Sequence, residues 1–191
     1  TDLLRSLHYM MLSHDLSRHP GLWRPGTVYV RREPDGEIVY EGPDAAAVPS
    51  LMEELAQWLN SESGFPPMVN AAMAHLNLVM INPFSDGNGR MGRALQTLVL
   101  AREGILDPRF SSIEEYLGRN SQAYYDVLAA AGQGRWNPLQ DARLWVRFCL
   151  TAHYRQATTI LRRTREQSRI WEELEGIAQR EGVLERSVLA L

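Results

Sequence analysis

At 191 residues, with 45% apolar side chains, the chain can bury one sizeable core, and its length favours one domain with at most a small appendage. A formal net charge of −3 and a pI near 6.0 exclude a general attraction to nucleic acid or to an anionic membrane, so any nucleic-acid contact has to be local. No apolar run approaches the ~20 residues that cross a bilayer and no secretory pattern opens the chain; one cysteine, Cys149, cannot form an internal disulfide, which makes a soluble, cytoplasmic protein the expectation.

The chain opens at Thr1 already in helical pattern, which reads as a piece of something longer. Leu3 to Leu16 keeps helical spacing until His19-Pro20-Gly21 stops it. The runs Thr27 to Arg32 and Glu37 to Glu41, joined by Glu33-Pro34-Asp35-Gly36, predict a β-hairpin, which either leans on the helices or serves as a mobile flap. Pro49 starts a helix whose apolar face ends near Asn60.

Met68 to Ile81 is apolar nearly all round and predicts a central buried helix. A helix over Met91 to Arg102 ends at Gly104, and shorter helices are expected over Ser112 to Tyr116 and Ser121 to Ala131. Asn137-Pro138 is a cap and first-turn pair for a long helix to about Arg165, and Ile170 to Leu191 reads as one more helix and a stub. The expected fold is all-α, a helical bundle with a small hairpin flap. The division is a domain over 1–167 and a C-terminal helix over 168–191, the start of a further module. Cys149, within LWVRFCL, reads as a buried small hydrophobe.

Between the two central helices lies Asn82-Pro83-Phe84-Ser85-Asp86-Gly87-Asn88-Gly89-Arg90. Gly87 and Gly89 permit positive φ and close backbone approach, and the start of the next helix offers unpaired N–H donors and the positive end of its dipole. Arg90 and Arg93, three residues apart, add two guanidinium forks at a helix end that a structural role does not favour for cations. Asp86 beside such a cradle is placed to hold Mg²⁺, and Asn88 can add an amide donor.

The string Pro83, Phe84, Asp86, Gly87, Asn88, Gly89, Arg90 and Arg93 resembles, in order and spacing, the core motif of the Fic domain, His-Pro-Phe-x-Asp/Glu-Gly-Asn-Gly-Arg-x-x-Arg. The resemblance extends over residues 3 to 165. It implies an all-α Fic-type fold and a protein AMP-transferase that binds ATP with Mg²⁺ and passes AMP to a Ser, Thr or Tyr hydroxyl of a target protein. On that resemblance Asp86 is the metal ligand, Gly87, Asn88 and Gly89 cradle the α- and β-phosphates, and Arg90 and Arg93 clamp the β and γ groups. Phe84 anchors the loop, and the flap residues Thr27, Val28, Tyr29 and Val30 offer an edge to a target segment. Glycine at 89, where phosphorylating members of the family carry lysine, favours AMP transfer.

The family's motif begins with histidine, the general base, whose contribution is about 10²- to 10⁴-fold in rate; this chain has Asn82, which cannot take a proton but can still hydrogen-bond. The expected outcome is intact ligand binding with turnover lost or impaired. An introduced replacement is favoured over a natural variant, because the other motif positions are intact. The alternatives are a non-catalytic nucleotide- or target-binding regulator and a transferase using another nucleotide donor.

His8, His14, His19, His75 and His153 do not make a metal set, and His75, although seven residues before Asn82, reads as a packed core histidine. Tyr124 and Tyr125 are candidates for the adenine pocket, with core packing as the competing reading. The inhibitory helix of many family members, whose glutamate pairs with the second motif arginine, is matched only in part, at Ser50 to Glu54, Ser111 to Glu115 and Ser168 to Glu172. That element is expected before Thr1, on an antitoxin-like partner chain, or nowhere. The arginines of 155–169 read as a solvated face, self-association is left open, and neither a membrane nor nucleic acid is an expected partner.

Overall fold

A computed structural model describes residues 1–31, 36–62 and 64–181. In chain order the elements are α1 (Asp2–Leu12), β1 (Tyr29–Arg31), β2 (Ile38–Glu41), α2 (Val48–Asn60), α3 (Pro67–Ile81), α4 (Asn88–Arg102), α5 (Pro108–Ser111), α6 (Glu114–Arg119), α7 (Ser121–Gly132), β3 (Gly134–Arg135) and α8 (Arg143–Glu181). Among the described residues no helix is long and apolar enough to cross a membrane. The architecture is all-α with one small sheet, as the periodicity predicted.

α3 is the middle of the molecule, and its all-round apolarity has a simple cause: it is buried on two sides. Ala71, Ala74, Leu78 and Ile81 pack with Leu4, Met52, Leu55, Phe84, Met91 and Leu95, while Ala72 and Leu76 face Tyr124, Leu128, Trp145, Cys149 and Ala152 across the helix. The Trp145 indole N–H donates to the Ala72 carbonyl at 2.7 Å, pinning α8 to α3. α3 and α4 approach closely at Gly92, where a methyl group would lie 2.6 Å from His75 Cδ2 and 2.7 Å from Val79 Cγ2.

The flap strands pair antiparallel, Tyr29 with Glu41 and Val30 with Tyr40, with an irregularity before Arg31. The expected turn falls largely on residues 32–35, outside the described residues. The hairpin does not stand alone. β3, which the sequence reading lacked, adds to β2 in parallel, Tyr40 opposite Gly134 and Glu41 opposite Arg135. Tyr40 is buried, its hydroxyl donates to the Met80 carbonyl at 2.6 Å, and its ring lies where a side chain at Gly132 would be. The flap therefore leans on α3 and α7.

Several boundaries differ from expectation, α4 among them, which starts at Asn88 and not at Met91. α1 ends at Leu12, and Leu16–Arg18 forms a separate 3₁₀ turn capped by the Asp15 side chain. The helix expected over 112–116 begins only at Glu114 and runs to Arg119 as α6, with the short α5 ahead of it. α8 begins at Arg143, whose N–H is held by the Asp141 carboxylate at 2.9 Å, while Asn137 accepts from Leu139 N–H as a local turn. It then runs without a break through 165–170, because Arg162–Glu166 and Arg169–Glu173 pair one turn apart and glycine first occurs at Gly176. The expected stub over 182–191 lies outside the described residues.

Candidate active site

The loop between α3 and α4 is built by backbone geometry first. Asn82 caps α3 with φ 51° and ψ 58°, its N–H donating to the Leu78 carbonyl at 2.9 Å. Gly87, at φ 78°, opens α4, whose first internal hydrogen bond is Met91 N–H to the Gly87 carbonyl. The N–H groups of Asn88, Gly89 and Arg90 thus have no acceptor within the helix, and they gather at its positive end.

Of the two glycines expected to take positive φ, only Gly87 does; Gly89 is helical. Its lack of a side chain serves proximity, since a methyl there would sit 3.4 Å from Arg93 Nη1 and 3.9 Å from Tyr124 Oη. The Asn88 carboxamide is turned into the loop: Oδ1 accepts from Phe84 N–H at 2.9 Å and Nδ2 donates to the Phe84 carbonyl at 2.8 Å. Phe84 is fully buried.

Around this loop stand residues that sequence reasoning missed. His8 stacks on Phe84 with ring centroids 3.7 Å apart and planes 8° from parallel. Its Nδ1 accepts from Gly21 N–H at 2.8 Å, so Nε2 carries the proton and donates to the Asp86 carbonyl at 3.0 Å. Burial lowers its pKa and keeps it neutral. The signal was faint: His8 falls between Leu4 and Leu12 on the buried face of α1.

Arg24 is buried, and its guanidinium serves three carbonyls, those of Asn82 (2.7 Å from Nε), Gly26 (2.5 Å from Nη1) and Pro43 (2.6 Å from Nη2), while its N–H donates to the Pro83 carbonyl. It lies at the negative end of α3, which suits a cation. One side chain thus ties the base of the flap to the start of the motif.

Asp86 accepts from Gly87 N–H at 2.6 Å and pairs with Arg18 and, at 3.6 Å, with Arg90. Burial pushes its carboxyl up, but the Gly87 N–H and the two guanidinia outweigh that and hold it below the usual carboxylate range. Arg18 had no signal in the sequence. Arg93 is largely covered, and its Nε donates to Glu114 Oε1 at 2.5 Å. Glu115, in one of the three partial matches to an inhibitory element, turns instead to Arg119 (3.0 Å) and Arg163 (2.8 Å).

Tyr124 is 4% exposed, packed among His75, Trp145 and Phe148, with its hydroxyl 3.1 Å from His75 Nε2; Tyr125 is 61% exposed. The core placement applies to Tyr124 alone. His75 is a packed core histidine, and Cys149 is fully buried with its thiol pKa pushed up by that burial. Thr27 and Val28 lead into β1, Val28 accepting from Gly42 N–H, and Tyr29 and Val30 lie on the outer strand of the sheet. Among the described residues Asn82 Oδ1 is a buried side-chain oxygen without a hydrogen-bond partner.

The fold is that of a helical bundle in which a glycine-containing loop joins two central helices, with unpaired N–H groups and two arginines at the start of the second and a strand edge nearby. A sequence profile of the Fic/DOC family matches residues 1–100. The chain belongs to the Fic/DOC family. It is 36% identical over 144 residues to protein adenylyltransferase Fic of Aedes aegypti, covering 74% of this chain and 25% of that protein. With the Drosophila willistoni protein of the same name the figures are 37% over 147 residues, 74% and 25%. The chain thus spans about a quarter of the length of the curated relatives it matches. Among solved structures, a Fic family protein from Desulfovibrio desulfuricans superposes with a TM-score of 0.73 at 31% identity, over 85% of this chain and 47% of that one. Fic-1 from C. elegans gives 0.59 at 27% identity, over 86% and 44%.

Proposed function

We propose that this chain is the core of a protein adenylyltransferase, binding ATP with Mg²⁺ and presenting its α-phosphate to a Ser, Thr or Tyr hydroxyl of a target protein, with turnover strongly impaired by Asn82. The observation that carries the reading is the start of α4: three N–H groups without helical acceptors beside Arg90 and Arg93. The relatives at 36–37% identity are themselves named protein adenylyltransferases.

The backbone of 87–90 binds phosphate oxygens, and the two guanidinia take the outer phosphates. Asp86, held ionised beside the seat, fits Mg²⁺, which takes one or two carboxylates plus substrate phosphates. When bound there, the ion draws charge from the phosphate oxygens. The edge of β1 takes up an extended target segment as a further strand. The target oxygen then attacks the α-phosphorus, the bond to the β-phosphate oxygen breaks, and pyrophosphate leaves. The hydroxyl proton needs an acceptor, and the carboxamide of Asn82 cannot hold it.

Restoring the base tests this directly. Asn82→His, incubated with ATP labelled in the α-phosphate, should transfer label to protein, itself included, at about 10²-fold or more above the Asn82 form. Titration with ATP, UTP and CDP-choline, with and without Mg²⁺, should single out ATP. The second reading, a nucleotide-binding regulator without chemistry, is favoured by how well asparagine suits the left-handed cap at 82. ATP binding retained, with no label transferred by Asn82→His, decides for it.

A further inference from the structure

The Asp86 carboxylate has one oxygen to offer a ligand. Its Oδ1 accepts from the Gly87 N–H at 2.6 Å, and the Asp86 main-chain carbonyl accepts from His8 Nε2 at 3.0 Å, so the residue is held from its backbone side. That leaves Oδ2. A guanidinium already stands against it: Arg18 donates to Oδ2 through Nη1, and Arg90 Nη2 comes within 3.6 Å of the same atom. A ligand oxygen sits about 2.1 Å from Mg²⁺, close enough that a dication on Oδ2 repels a guanidinium bonded there. Ion and arginine compete for one oxygen.

Arg18 is placed for this by its own turn. Its Nε donates to Asp15 Oδ2 at 3.0 Å, while Asp15 Oδ1 accepts from the Ser17 N–H at 3.1 Å and from the Ser17 hydroxyl at 2.6 Å. The turn is fastened on both sides. Asp15 N–H donates to the Leu12 carbonyl at the end of α1, and three residues beyond Arg18 the Gly21 N–H donates to His8 Nδ1. One guanidinium therefore bridges two carboxylates distant in sequence, Asp15 after α1 and Asp86 before α4.

The bridge is strong enough to matter and weak enough to yield. The Arg18 side chain is 51% exposed and that of Asp86 36%, and water screens such a pair to about two- to fivefold in an equilibrium constant. An ion that also gathers nucleotide phosphates has more partners than this one pair supplies. With Asp15 still holding Nε, an arginine that gives up Asp86 stays beside the seat.

We propose that Arg18 is a resident cation at the metal position: it neutralises Asp86 by itself and has to release Oδ2 to a divalent ion, so that it sets how tightly the ion is held. The inference rests on the assignment of Asp86 as metal ligand made above. Its signature is one of sign. Removing the guanidinium frees Oδ2 and strengthens binding of the metal-nucleotide complex, whereas it leaves Asp86 a bare negative charge beside the phosphates and weakens binding of the nucleotide alone. A residue that only braced the fold would weaken both.

The test uses the whole chain, with ATP titrated calorimetrically in excess Mn²⁺, which like Mg²⁺ takes oxygen ligands, and again in chelator. In Arg18→Gln the Kd for Mn·ATP should fall about two- to fivefold and the Kd for metal-free ATP should rise by a similar factor. Mn·ATP binding that is unchanged or weaker overturns the proposal and leaves the nucleotide site standing. Tightening of both forms by one factor overturns it too, since Arg18 would then merely obstruct the nucleotide. Asp86→Asn should abolish the gain from Mn²⁺; a gain that survives it removes Asp86 as the ligand, and this inference with it. Failure of both the unsubstituted and the Arg18→Gln chains to bind ATP in either condition overturns the nucleotide-binding reading as well.

Discussion

Glu114, on α6, reaches back to Arg93, on α4, and places Oε1 2.5 Å from Nε, so that one of the two motif arginines is already paired with an acid of the same chain. The carboxylate is well exposed while the arginine is largely covered, so the acid can swing away while its partner stays. A phosphate approaching Arg93 meets a negative charge first. Glu114→Gln should therefore tighten ATP binding by about two- to fivefold, the range of a solvent-screened pair. Glu115→Gln, whose partners are Arg119 and Arg163, should leave it unchanged. Calorimetric titration of both variants decides, and weaker binding by Glu114→Gln would show that the acid supports the site instead of competing for it.

Acid should loosen the fold before it strips the carboxylates. His75 is neutral in the folded chain with its pKa lowered to about 4 by burial, and an unfolded histidine titrates near 6.5. Above pH 6.5 neither state takes the proton. Below it the unfolded chain does and the folded chain does not, so stability falls until about pH 4. Between pH 7.5 and 5 this one group accounts for about 2 kcal/mol. His8, lowered in the same direction, adds to the loss. Urea midpoints at the two pH values should show it, and His75→Gln should remove most of the pH dependence while lowering stability at pH 7.5.

Arg24→Met should cost about 3 kcal/mol in urea unfolding, because four backbone carbonyls are organised around that residue and three lose a charged donor. Arg24→Lys should recover only part, since one ammonium cannot serve three carbonyls set around a planar fork. Full recovery by lysine would mean that charge, and not the fork, holds the flap to the motif.

Gly92→Ala adds one methyl where His75 and Val79 already stand at 2.6 and 2.7 Å. α3 and α4 must part to admit it, at about 1 to 3 kcal/mol. Thermal unfolding would reveal the loss, and an unchanged Tm would mean that the two helices slide without cost.

What the sequence made legible was local. The all-round apolarity of α3, the glycine and asparagine turn chemistry of 82–90 and the alternation of the flap strands each carry their structure within a dozen residues. β3 was not legible, because two residues that pair with Tyr40 and Glu41 from nearly a hundred positions away leave no period to read. The continuity of α8 was not legible either: the sequence reading places one helix to about Arg165 and another from Ile170, whereas a single helix runs through 165–170, held by one-turn ion pairs. Within the site, Asn82, Asp86, Arg90 and Arg93 stood in the motif, but the residues that brace Asp86 (His8, Arg18), Asn82 (Arg24) and Arg93 (Glu114) come from other elements. Only the tertiary fold brings them there, and their own neighbours in sequence give little sign of it.

The left-handed turn at position 82 bears on how this protein should be studied. Only glycine, asparagine, aspartate and histidine enter that conformation readily, and an alanine there would add about 1 kcal/mol of backbone strain to whatever chemistry it removed. An alanine there would therefore mix a distorted hinge with any effect of the lost side chain. Asparagine keeps the bend, so on the proposed adenylyltransferase reading this chain would serve as the shape-matched blank against which a histidine-bearing version can be measured.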